Sequence, residues 1–142
     1  MIIPRLANCL FAILMLLCSV GVRADDSIAS AIKRLSTVER FAFGGVGYAG
    51  VMSKGEIDFK VILSQPQATA VSAFEQLYAT GNPQGKSYAL SGMKKLNPQR
   101  FKELLAALGT STDEVEVMRG CIVSHEPLLD IAKQIERGKF RF

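Results

Sequence analysis

Residues 65–108 read QPQATAVSAFEQLYATGNPQGKSYALSGMKKLNPQRFKELLAAL, and the same short pattern, typical of the start of a helix, occurs three times within them. Each time, a residue that can cap a helix is followed by a proline. Proline fits the first turn of a helix because its missing N–H has no helical partner there. The prolines are 17 and 15 positions apart, which predicts helices of about three turns joined by tight corners. The three starts are Gln65-Pro66-Gln67, Asn82-Pro83-Gln84 and Asn97-Pro98-Gln99.

Apolar residues recur after each proline at three- and four-residue spacing, which is the period of a helix with one buried face. Glycines at positions 81 and 109 are predicted to end two of these helices. The short corners predict antiparallel neighbours that pack as stacked helical hairpins. The buried faces are Val71, Phe74, Leu77 and Tyr78; Ala89, Gly92, Met93 and Leu96; and Phe101, Leu104, Leu105 and Leu108.

Further helices are predicted on both sides of this stretch. Residues 26–41 carry an apolar stripe at helical spacing, and the segment 128–135 carries another that Gly138 closes. Residues 43–51 contain four glycines in seven positions, which weaken helix and strand alike and predict a loop. The tail 139–142 is predicted to be loose.

The segment 56–63 allows two interpretations. Its apolar and polar residues alternate, as in a strand. However, Ser53 and Glu56 have the spacing of a capping box, and Met52 and Ile57 occupy the hydrophobic positions that flank such a box. The balance favours a helix, with the strand as the alternative.

One strand is predicted near the end of the chain, over residues 114–123. Val115, Val117, Cys121 and Val123 would share its apolar face. A lone strand needs a partner, and the candidates are the segments 44–51 and 56–63. The predicted fold is therefore mainly α, with five or six short antiparallel helices and a small β element.

The segment Gly85-Lys86-Ser87-Tyr88-Ala89-Leu90-Ser91-Gly92, followed later by Arg119-Gly120-Cys121, resembles a family of exported bacterial helical proteins of uncharacterised function. The resemblance covers residues 48–138, and residues 64–108 also resemble the helix pairs of HEAT repeats. Both resemblances imply a helical fold, and neither implies an activity.

The N-terminal residues have the three-part layout of a secretory signal peptide. Arg5 precedes an apolar run over residues 6–22, and the small residue Ala24 marks a cleavage site. This layout predicts a signal peptide over residues 1–24 and a single domain over residues 25–142, in a periplasmic or secreted protein. No later stretch is apolar enough to cross a membrane.

The net charge argues against a nucleic-acid partner. Loss of Arg5 and Arg23 with the signal lowers the formal net charge from +4 to +2, because all 13 Asp and Glu residues remain. A nearly balanced domain lacks the strong positive field that nucleic-acid binding needs.

Two motifs suggest chemistry, and both have simpler explanations. The segment 45–50, GVGYAG, matches the dinucleotide-binding fingerprint, but no β-α-β unit surrounds it, so no cofactor is predicted. Cys121 and His125 could form the nucleophile and base of a thiol hydrolase, with Glu126 or Asp130 orienting the imidazole. A cysteine on an apolar strand face is more often a core residue, and these residues lack the paired spacing of a zinc site. Cys121 is therefore predicted to be structural.

Tyr48, Tyr88 and Arg119 are the predicted binding residues, because their glycine-flanked surroundings leave side chains within reach of a partner. The function predicted from the sequence is an exported protein-binding or envelope-associated module without catalysis. The alternatives are the thiol hydrolase with Cys121 and His125, and an inhibitor or immunity-type protein directed against a secreted toxin or enzyme.

Overall fold

The computed structural model describes residues 21–142, with side chains from Ser27 onward. Most of the predicted signal peptide lies outside these residues, and its cleavage stays a prediction. The described residues form six α-helices and two short antiparallel hairpins, which confirms the mainly α prediction with a small β element. The elements are α1 (Gly21–Ser36), β1 (Gly45–Val46), β2 (Val51–Met52), α2 (Lys54–Leu63), α3 (Gln67–Thr80), α4 (Pro83–Leu96), α5 (Pro98–Ala107), β3 (Glu114–Arg119), β4 (Ile122–Pro127) and α6 (Leu128–Glu136).

The predicted helix starts are confirmed, and side-chain caps form at Ser53, Asn82 and Asn97. The Ser53 hydroxyl accepts a hydrogen bond from the Glu56 N–H at 3.0 Å, so the segment 56–63 lies in helix α2 and the strand alternative is wrong. The amide oxygens of Asn82 and Asn97 cap α4 and α5 in the same way. Pro66 itself precedes the first residue of α3, which has no side-chain cap.

Helix α4 is the centre of the domain. It packs against α1, α2, α3, α5, α6 and strand β3. The crossing with α3 is close, because a Cβ atom added to Gly92 would lie 2.4 Å from the Phe74 ring. The hydroxyls of Ser87 and Ser91 donate to backbone carbonyls one turn earlier, so both polar side chains are satisfied although they are fully buried.

An aromatic cluster fills the space between α2, α4 and the chain's C-terminal segment. The ring of Phe41 lies 5.3 Å from that of Phe43 and 4.9 Å from that of Phe140, and Phe59 lies 5.4 Å from Phe142. Aromatic pairs of this kind contribute about 0.5–1.5 kcal/mol beyond their buried area. The prediction of a loose tail is therefore wrong, because Phe140 and Phe142 anchor it to the core.

The first helix ends earlier than the apolar stripe predicts. α1 ends at Ser36, whereas the prediction extended it to Phe41. Phe41 instead pairs with β3: its N–H donates to the Glu116 carbonyl at 2.8 Å, and its carbonyl accepts from the Met118 N–H at 3.0 Å. The contact with β3 thus provides hydrogen-bond partners for the Phe41 N–H and C=O groups, which a longer helix would have paired within itself.

The predicted single strand over 114–123 is wrong, because a two-residue turn at Gly120 and Cys121 divides it into β3 and β4. The turn also changes which side chains face the core. Val117 is buried and pairs with Ser124, so Val123 points to the opposite face of the hairpin. The shared apolar face predicted for Cys121 and Val123 does not exist.

Candidate functional site

The tips of the two hairpins are in contact with each other. The Gly47 N–H donates to the Gly120 carbonyl at 3.0 Å, and Val46 forms a parallel bridge with Gly120. Both glycines have positive φ angles, 69° and 59°, which other residues rarely adopt. On the other side of the loop, the buried carboxylate of Glu56 accepts from the Gly44 N–H at 2.8 Å. The glycine loop is therefore held at both ends.

Large apolar side chains are exposed at these tips. Tyr48 is fully exposed, and Val51, Ile122 and Val123 are 60%, 72% and 43% exposed. We call these four residues the hairpin-tip surface. Scattered apolar residues are normal on a protein surface, but a group on adjoining loops is typical of an interaction site.

Arg119 fastens the second hairpin to α6. Its guanidinium donates to Glu126 at 2.5 and 3.4 Å and to the Gln134 side chain at 2.9 Å, and it lies 5.3 Å from the Phe140 ring. The hydrogen bonds that Glu126 accepts, first from Arg119 and then from Gln134 and Ser124, lower the pKa of Glu126, although partial burial opposes the shift. The positive charge of Arg119 is thus largely compensated within the chain.

Tyr88 is a core residue, which corrects its prediction as a binding residue. Its side chain is fully buried, and its hydroxyl donates to the Ala42 carbonyl at 2.9 Å and accepts from the Ala42 N–H at 3.0 Å. Burial raises the pKa of Tyr88. A Cβ atom on Gly55 would lie 2.4 Å from this hydroxyl, so no partner reaches it in this conformation.

The geometry does not support a thiol hydrolase. Cys121 lies in the turn, whereas His125 is the fourth residue of β4, about 13 Å farther along the extended chain. The imidazole faces Glu116, with 3.7 Å between Nε2 and Oε2. Such a separation leaves the thiol without the adjacent base that activates it. The described residues also contain no group of three side chains that could hold a metal ion.

Cys121 is exposed, so its predicted structural role is wrong. We expect its thiol to react with a thiol reagent as fast in the native protein as in the urea-unfolded protein. Cys121→Ser should change the free energy of unfolding by less than about 0.5 kcal/mol. Because Cys121→Ser retains Cys9 and Cys18, its reaction rate measures the contribution of these two thiols, which is subtracted from the rate of the unchanged chain. A native rate about tenfold slower than the unfolded rate would show that Cys121 is protected and contradict the prediction.

A cleft of about 470 Å³ lies between the end of α1 and the start of α2. Three of its five charged side chains are paired inside the chain. Arg34 binds Asp58 through both carboxylate oxygens, at distances of 2.6 to 3.1 Å, and Arg40 binds Glu116 at 2.6 Å. The first pair ties α1 to α2, and the second ties the segment after α1 to β3, so both pairs serve the fold.

Comparison of the chain with protein-family models, with curated proteins and with solved structures finds no match. No helix among residues 21–142 is both long enough and apolar enough to span a membrane. The sequence predicts part of the hairpin-tip surface, because Tyr48 is one of the predicted binding residues. Ile122 and Val123 were missed, although a glycine at the first position of a two-residue turn, as in Arg119-Gly120-Cys121-Ile122, is a recognised hairpin signal.

Proposed function

We propose that this chain is an exported protein-binding module and that the hairpin-tip surface is its contact with the partner. The observation that carries the proposal is the exposure of Tyr48, Val51, Ile122 and Val123 on two loops that are hydrogen-bonded to each other. Such residues gain from leaving water, since full burial of a valine or isoleucine side chain is worth about 1.5–3 kcal/mol.

The chemistry of the surface fits recognition better than catalysis. Tyrosine is enriched among the residues that dominate binding energies, because it is large, rigid and has a polar tip. The bond between Gly47 and Gly120 fixes the two loops relative to each other before binding. A pre-formed surface loses less conformational entropy when the partner docks.

The test is affinity purification of the tagged full chain from the envelope fraction of the cells that make it. We expect a protein partner to co-purify with the unchanged chain and to be lost about tenfold from the double variant Tyr48→Ser/Ile122→Ser, which removes two anchors. The matched control is Ile57→Ser, because Ile57 is 49% exposed but lies on α2.

Circular dichroism of the three proteins should be the same, since none of the substituted side chains is buried. Equal recovery of the partner with the double variant and the unchanged chain would overturn the proposal. Equal loss with Ile57→Ser would show that the binding is not specific to the hairpin tips.

A further inference from the structure

The outer edge of β4 carries backbone groups without a strand partner. Phe41 bonds to the Glu116 carbonyl and the Met118 N–H on the outer side of β3, so these groups point away from β4. In an antiparallel pair, residues opposite such positions also point their backbone groups outward. Those residues are His125, opposite Glu116, and Val123, opposite Met118.

Val123 and His125 therefore each direct an N–H and a C=O away from the sheet, which has only two strands in the described part of the chain. Pro127 has no N–H and ends this edge. Exposed strand edges of this kind pair readily with another extended chain, and natural proteins usually cover or interrupt them. The available edge is short and offers four backbone groups, which are the N–H and C=O groups of Val123 and His125.

A positively charged cleft lies between this hairpin and α6. Its volume is about 550 Å³, and it is lined by four cationic and two anionic side chains. Arg119 is paired with Glu126, and Lys133 lies 4.0 Å from Asp130. The remaining two cations are Arg137 and Lys139, and neither forms an ion pair with any residue that the structure describes.

We propose that the edge of β4 binds an extended, acidic segment of a protein partner, which adds to the sheet as a third strand. This proposal rests on the proposed protein-binding function and names the chemistry of the partner. Backbone hydrogen bonds to Val123 and His125 give the affinity, and carboxylates that reach Arg137 and Lys139 give the selectivity.

Alternation of side chains explains how one segment makes both contacts. Ser124 and Glu126 lie on the face of the hairpin that includes the buried Val117 and that α6 covers. Every second residue of an added strand continues this row and points toward the cleft. Acidic residues are expected at those alternate positions, and the residues between them lie beside Val123.

The probe is a synthetic seven-residue peptide of alternating valine and glutamate with blocked ends, titrated into the full chain. A second peptide carries lysine in place of glutamate. We expect the acidic peptide to slow amide hydrogen exchange at Val123 and His125, as measured by NMR, and the lysine peptide to bind at least about tenfold more weakly. Equal binding of both peptides would overturn the charge argument.

A backbone variant separates strand addition from contact with side chains. His125→Pro removes an outward N–H and no hydrogen bond of the β3–β4 ladder, so the fold is retained, and circular dichroism checks this. His125→Ala is the matched control, because it keeps the N–H. We expect about a tenfold loss of peptide affinity in the proline variant alone. Unchanged binding in that variant would exclude strand addition.

Two other outcomes would also decide the matter. Sedimentation that shows a dimer of the unchanged chain and a monomer of His125→Pro would overturn the proposal, since the edge would then bind a second copy. The hairpin-tip double variant keeps the N–H groups of Val123 and His125. If the double variant loses the cellular partner but binds the peptide normally, the hairpin-tip surface and the β4 edge are separate contacts. If the unchanged chain does not bind the acidic peptide, strand addition is excluded, but the hairpin-tip proposal is not affected.

Discussion

Tyr88→Ala should lower the free energy of unfolding by about 3–5 kcal/mol, the range seen when a large buried aromatic side chain is truncated. The ring is fully buried and lies 4.9 Å from the ring of Phe41 and 5.2 Å from that of Phe43. Its removal leaves a cavity between α4 and the aromatic cluster. Urea unfolding followed by circular dichroism measures the loss, which is a large part of the 5–15 kcal/mol that stabilises a typical domain.

Tyr88→Phe separates the hydroxyl from the ring. The Ala42 N–H would lose its acceptor, whereas the Ala42 carbonyl would keep the hydrogen bond from Ser53 at 3.0 Å. One unsatisfied buried donor costs about 1–3 kcal/mol, so this variant should lie between the unchanged chain and Tyr88→Ala. A loss below about 0.5 kcal/mol in Tyr88→Ala would place the side chain in solvent and contradict the structure.

Leu104→Ala should cost about 2–5 kcal/mol, because Leu104 is 5% exposed and lies on the face of α5 that packs against α4. The same measurement of urea unfolding applies. Leu105 provides a matched control: it is the same residue type one position later but only half-buried, so Leu105→Ala should cost less. Equal losses in the two variants would show that α5 is rotated relative to the structure described here.

Local signals in the sequence predicted the helical part of the fold well. The side chains of Ser53, Asn82 and Asn97 each accept a hydrogen bond from the N–H group three residues later. The donor and the acceptor of each cap therefore lie within the same short segment of sequence. For the same reason, the capping box outweighed the alternating pattern over residues 56–63. Helix starts of this kind depend little on the rest of the chain.

Contacts between distant segments account for the errors. Phe41 lies within an apolar stripe that fits a helix, but its backbone pairs with β3, which lies far away in the sequence. Phe140 and Phe142 look like a loose tail until Phe43 and Phe59 are placed beside them. No local pattern contains these partners, so the sequence alone could not predict the contacts.

The candidate site was predicted in part for a related reason. Tyr48 stands in a glycine-rich loop, where the sequence predicts an accessible side chain, and the structure leaves it fully exposed. The sequence predicts an accessible Tyr88 and a structural, core Cys121. The structure shows the reverse, with Tyr88 buried and Cys121 exposed. The helical pattern contains a signal for Tyr88, because Tyr88 lies four residues before Gly92, which belongs to the predicted buried face. The turn at Gly120 decided the position of Cys121.

The β element also has a kinetic consequence. The helical hairpins join segments that are close in the sequence. The contact with β3 does not, because Arg40, beside Phe41, binds Glu116, which is 76 positions away. Closing so long a loop costs entropy before its contacts form, so local helix pairs should assemble early and the two hairpins should dock late. Elements that dock late and have exposed backbone are commonly the first to open in the native state. A partner that binds the docked hairpins would then also stabilise the native state against this opening.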